Sequence, residues 1–149
     1  MRRDKTSLLL MEQLVTLMVF ALAAAICLQA FVTADRRSRA MEDREKAAVL
    51  CQNAAETLRS SGGDFFAAAG TLNTTNWDED SFMTFYDEDW QPIDSSSPNA
   101  YPWDYILRAD RAETDVPGLG KAEVWAGDAK SGDELFRLEV AWQEVTADE

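Results

Sequence analysis

Residues 7–34 read Ser7-Leu8-Leu9-Leu10-Met11-Glu12-Gln13 and then LVTLMVFALAAAICLQAFVTA, from Leu14 to Ala34. The second part carries no charged side chain over 21 residues. As an α-helix it would measure about 31 Å, enough to cross a hydrocarbon core of about 30 Å. Its flanks are polar, with Arg2, Arg3, Asp4 and Lys5 before it and Asp35-Arg36-Arg37 after it. A surface helix of a soluble domain keeps a polar face, and this run has none. The stretch therefore predicts a membrane-inserted or membrane-targeting helix. One carboxylate, Glu12, interrupts its start. A charge at that depth is costly and calls for a partner or a function. The plainer account makes Glu12 a marker of the membrane–water boundary, with Leu8–Met11 lying in the interface.

Working outward, residues 35–61 contain neither Pro nor Gly, and Gly62-Gly63 supply a helix stop. Ala47, Leu50, Cys51, Ala54 and Leu58 recur at helical spacing and form one apolar stripe. The spacing predicts one helix from about Leu8 to Ser61, near 80 Å long, whose second half packs on a globular part. Cys27 and Cys51 are separated by about 36 Å on such a helix, which rules out a disulfide between them within one chain. Both read as small apolar fillers, with an intermolecular bridge as the alternative.

The chain has 149 residues, 14 Lys plus Arg, 27 Asp plus Glu and no His, for a net charge of −13. Residues 1–62 are near neutral at +2, whereas 63–149 carry −15. The lack of His excludes Ser-His-Asp and Cys-His catalysis and His-containing zinc sites. The acidity argues against nucleic-acid binding, which needs clustered Lys and Arg. No nucleophile–base pair and no phosphate-cradling glycine loop is present, so the chain reads as a non-enzyme without a cofactor. Residues 62–149 read as an acidic antiparallel sheet. Asp64 caps a short helix over Phe65–Ala69, stopped by Gly70. Strands are expected over Ser81–Tyr86, Trp90–Ile93, Tyr105–Glu113, Lys121–Ala126 and Glu134–Val145, joined as a meander by turns such as Gly127–Gly132. The Ser95-Ser96-Ser97 run is the sole low-complexity feature. One sheet face is expected on the helix stripe and the other in solvent. The fold class is thus α+β, a long N-terminal helix on a small antiparallel sheet.

Asp78-Glu79-Asp80 and Asp87-Glu88-Asp89 are the weak metal candidates, with Asp78, Asp80, Asp87 and Asp89 able together to offer Ca²⁺ hard oxygen ligands. No EF-hand spacing is present, and the alternative is a solvated loop and a hairpin turn. Of Trp77, Trp90, Trp103, Trp125 and Trp142, most are assigned to packing. Trp125 is expected to point outward, because it alternates with Val124.

The pattern Ser7-Leu8-Leu9-Leu10-Met11-Glu12-Gln13-Leu14 resembles the start of type IV pilin-like prepilins, including pseudopilins. These have a short basic leader, a small residue before the cut, an apolar residue after it, a carboxylate at the fifth mature position and then a long apolar helix. Here the leader is Met1–Ser7, cleavage falls between Ser7 and Leu8, and Glu12 is the fifth mature residue. The family usually has Gly and Phe where this chain has Ser7 and Leu8. The resemblance covers roughly residues 1–60 in pattern. It implies a leader over 1–7, a transmembrane and filament-core helix over 8–34, its continuation over 35–61 and the sheet domain over 62–149.

The resemblance further implies a structural subunit, a minor pilin or pseudopilin, of a filament system used for secretion, DNA uptake or a surface pilus. Its partners would be other pilin or pseudopilin subunits, a prepilin peptidase that cleaves and methylates, a membrane assembly platform with its ATPase, and the lipid bilayer. Glu12 would pair with the Leu8 amine of a neighbouring subunit. The C-terminal domain would lie outside the cytoplasm, an orientation resting on the resemblance, because three Lys plus Arg precede the apolar run and five follow it closely. Two other readings stay open. One is an uncleaved single-pass anchor holding a binding or sensor domain. The other is a soluble domain released after Ala34, since Val32-Thr33-Ala34 is similar to a signal-peptidase site. Lipidation of Cys27 is disfavoured by Ile26 at the position that needs a small residue.

Overall fold

A computed structural model describes residues 2–74, 76–93 and 103–144, with side chains from Ser7 onward. The Ser95-Ser96-Ser97 run and Val145 lie outside the described residues. The chain divides into two compact units, Met1–Met41 and Glu42–Glu149. Helix α1 spans Arg2–Ser60 without interruption. It starts at Arg2 rather than at Leu8, because no Pro or Gly stands between Arg2 and Ser61. In the first unit every residue from Ser7 to Met41 is exposed. This helix is long and apolar enough to cross a membrane.

The second unit begins with residues 42–60 of α1. Ala47, Cys51, Ala54 and Leu58 are fully buried, Ala55 nearly so, and Leu50 packs partly against them. The stop is a Schellman turn. Gly62 and Gly63 take φ of 65° and 83°. The Gly63 N–H donates to the Leu58 carbonyl at 2.9 Å, and the Gly62 N–H to that of Arg59 at 3.2 Å. Helix α2, Phe65–Thr71, follows, with the Asp64 carboxylate accepting from the Ala67 N–H at 3.0 Å. Gly70 does not stop α2, which runs through it. The left-handed residue that ends the helix is Asn73, at φ 54°. The Thr74 N–H then donates back to the Ala69 carbonyl at 3.0 Å. Asn tolerates this conformation well enough to replace Gly as the stop.

Six strands follow: β1 Asn76–Trp77, β2 Ser81–Tyr86, β3 Pro92–Ile93, β4 Tyr105–Ala112, β5 Leu119–Asp128 and β6 Glu134–Gln143. All pairings are antiparallel, in the order β1-β2-β4-β5-β6, with β3 beside β1 on the outer edge of β2. Five of these strands match expected ones, whereas β1 has too few residues to show a period, and β5 runs on through Gly127 and Asp128, which were expected to open the following turn. β3 was expected to begin at Trp90, which instead sits in the preceding turn at φ 60°.

The alternation expected along the strands holds. Across the sheet, Phe82, Ala109, Val124 and Leu138 are register neighbours on one face, as are Thr84, Leu107, Ala126 and Phe136. That face packs on α1, and the small side chains of Ala47, Cys51 and Ala54 let helix and sheet approach closely. The other face carries the cross-strand ion pairs Lys121–Glu139 at 3.0 Å and Arg137–Glu123 at 2.5 Å, and the pair Arg108–Asp110 at 2.7 Å within β4. Trp125 does lie on this outer face, but it is half-buried, flanked in register by Arg108 and Arg137. Trp77 is the exposed tryptophan instead, at 48%, edge-on to the exposed Phe66 at 4.7 Å.

Candidate functional site

Ser7, Leu8 and Glu12 lie on the first turns of α1, all exposed. Leu8 and Glu12 are four residues apart and share a helix face. The Glu12 backbone carbonyl accepts from Thr16 Oγ1 at 2.9 Å. Its carboxylate has no hydrogen-bond or ion-pair partner among the described residues. Leu8, Leu9, Leu10 and Met11 before it are 60–71% exposed, as are most large apolar side chains from Leu14 to Phe31. So much apolar surface needs lipid or other chains to cover it. The Ser7–Leu8 bond lies inside the helix.

Of the acidic candidates, Asp78 and Asp87 close turns, Asp80 makes an ion pair, and the Asp89 carboxylate has no partner among the described residues. Asp78 accepts from the Asp80 N–H and from Ser81 Oγ, both at 2.9 Å. The Asp80 backbone contact, chiefly, holds the Asp78 carboxyl below the ordinary carboxylate range. Asp80 pairs with Arg111 at 2.6 Å. Asp87 Oδ1 accepts from the N–H groups of Asp89 and Gln91 at 3.0 and 2.8 Å, closing the β2–β3 turn. Strand β2 keeps the two triplets at its opposite ends, roughly 20 Å apart by strand rise. They do not converge on one site, and no metal-ligand cluster occurs among the described residues.

Two constellations were not foreseen. The first surrounds Trp90. Its indole is buried, stacked on Tyr105 at 3.9 Å and 12°, and its Nε1–H donates to Asp43 on α1 at 3.1 Å. Burial, and then the Asp43 charge, push the Tyr105 phenol up to about 12. A non-glycine residue at positive φ stores strain, which this anchoring offsets. The second is Arg111. It contacts Asp80 and Glu144 at 2.6 and 3.1 Å and donates to the Gly63 carbonyl at 3.3 Å. Its guanidinium lies over the Phe65 and Trp142 rings, at 5.3 and 5.7 Å. Both sets join residues far apart in sequence, and only pairing of the elements brings them together.

Cys51 is a filler, as expected. Its thiol faces the Phe136 carbonyl at 4.0 Å, and burial pushes it up to about 12. Cys27 is exposed. No protein-family model, curated protein or solved structure matches this chain.

Proposed function

We propose that the chain is a structural subunit, a minor pilin or pseudopilin, of a type IV filament system serving secretion, DNA uptake or a surface pilus. One observation carries the reading: a carboxylate at Glu12 with no partner among the described residues, five residues after a basic leader ending in the small Ser7, at the head of an exposed apolar helix. A signal peptide leaves that carboxylate without a role, and a plain anchor uses it only as a boundary marker. The continuation of the helix into a sheet domain is the second support. On this reading a prepilin peptidase cuts at Ser7/Leu8 and methylates the new amine. The apolar helix stays in the membrane until an assembly platform and its ATPase extract it, and the acidic domain lies outside the cytoplasm. The chain is not an enzyme.

The role of Glu12 follows from charge burial. In an assembled bundle, its carboxylate pairs with the Leu8 amine of a neighbour, fixing axial register. Glu12→Ala or Glu12→Gln should leave cleavage and membrane insertion intact and impair assembly. The monomer loses a side chain that costs about 2.5–3.5 kcal/mol in the bilayer. The assembly loses a desolvated pair and strands an ammonium, at roughly 3–5 kcal/mol. Gel mobility reads cleavage, and crosslinking to neighbouring subunits reads assembly. Unchanged crosslinking in Glu12→Ala would reduce Glu12 to a boundary marker.

A further inference from the structure

A groove of about 510 Å³ runs between α1 and the β2–β3 turn, floored by Val49, Leu50 and Trp90. Its rim is acidic, with Glu42 and Glu45 on the helix and Asp89 on the turn. The one cation there, Lys46, is held by Glu42 at 3.2 Å. The Glu45 and Asp89 carboxylates make no ion pair among the described residues. Val49 is 50% exposed although it lies two residues from the fully buried Ala47 and Cys51. Asp43 is already occupied by the Trp90 N–H, which fixes the floor.

The same chain carries the complement. Arg36, Arg37 and Arg39 form an exposed basic band. Arg39 pairs with Asp35 at 3.2 Å, while Arg36 and Arg37 make no ion pair among the described residues. The basic residues at 36, 37 and 39 and the acidic residues at 42, 43 and 45 share one spacing. A parallel neighbouring α1 shifted by six residues, roughly 9 Å, sets each base level with an acid. Six residues also turn a helix through about 240°, so one face of α1 gives and a different face receives. Such a contact is heterologous, and it repeats along a row of subunits instead of closing into a two-fold dimer.

We propose that the groove receives the Arg36–Arg39 band of a second copy of this chain. The proposal rests on the filament reading and adds to it the contact that holds adjacent subunits just beyond the apolar run. The test uses full-length chain in native membranes, with Cys27→Ser to remove the exposed thiol and Ala40→Cys, on the side of the basic band, with Lys46→Cys, on the groove, to supply two new ones. These lie six residues apart on one helix, about 9 Å, too far for a disulfide within the chain. Oxidation should give a ladder of crosslinked species in the double variant and at most dimers with either cysteine alone. Adding Glu42→Lys with Glu45→Lys should cut the ladder at least about tenfold, by the loss and reversal of several pairs. Adding Arg36→Glu with Arg37→Glu to that background should restore it, which a misfolded groove could not do. A ladder indifferent to the reversal would mean that the arginines serve lipid headgroups, and it would overturn the proposal. So would a reversal that the swap fails to rescue, or the absence of any ladder. The mature N-terminus of the same sample separates the two claims. A Leu8 start without a ladder removes this contact and keeps the filament reading, whereas a charge-sensitive ladder on chains starting at Met1 does the reverse.

Discussion

Gly63 shows how little space the domain leaves at its tightest point. A Cβ there would fall 2.1 Å from the Trp142 indole, and the residue already holds φ 83°. Gly63→Ala should therefore destabilise the domain by roughly 2–4 kcal/mol, from overpacking and left-handed strain together. Urea unfolding followed by tryptophan fluorescence checks it. Gly62→Ala, with open space around its Cβ, should lose only the strain component, about 1–2 kcal/mol. The helix stop was legible in the Gly62-Gly63 pair, and the Asp64 cap in its position before Phe65, because both act over a few residues. The indole that makes Gly63 obligatory was not legible, since Trp142 lies 79 positions on and reaches it through sheet pairing. The same holds for Asp43 and Trp90. Asp43→Ala should strand a buried indole N–H and cost about 1–3 kcal/mol. The Trp90→Phe variant removes the donor as well and should largely cancel that loss in a double-mutant cycle.

At the scale of elements, α1 and the strands were readable because their periods differ. The stripe from Ala47 to Leu58 repeats with a helical period, and Phe136, Leu138, Val140 and Trp142 with a strand period. β1 and the turn at Trp90 escaped because neither has a period, and a left-handed Trp breaks the usual preference for Gly and Asn. A fragment beginning at residue 36 contains the whole stripe and every strand. It should be soluble and folded, with circular dichroism showing both helix and strand. A featureless spectrum with rapid proteolysis would show that the sheet needs the apolar segment. Within that fragment, Leu58→Ala empties a fully buried position. It should cost roughly 2–5 kcal/mol in the same unfolding assay.

At the scale of the molecule, the charge distribution sets a pH window. Backbone contacts hold Asp78 and Asp128 below the ordinary carboxylate range. Groups with lowered folded values bind protons more weakly when folded, so their stabilisation is present above about pH 4 and is lost as pH falls further. Burial pushes Cys51 and Tyr86 up to about 12 from 9.0 and 10.0. Their stabilisation is complete below those ordinary values and fades as pH rises from about 9 toward 12. Thermal unfolding midpoints should therefore be level near neutrality and fall on both sides. The apolar run was legible in the sequence, because a bilayer imposes its demands on composition and length. The start of the mature chain separates a cleaved filament subunit from an uncleaved anchor or a released domain. N-terminal sequencing and intact mass of membrane-extracted protein, from cells with an active prepilin peptidase, should give a chain beginning at Leu8. A chain beginning at Asp35, or one retaining Met1, would contradict the filament reading.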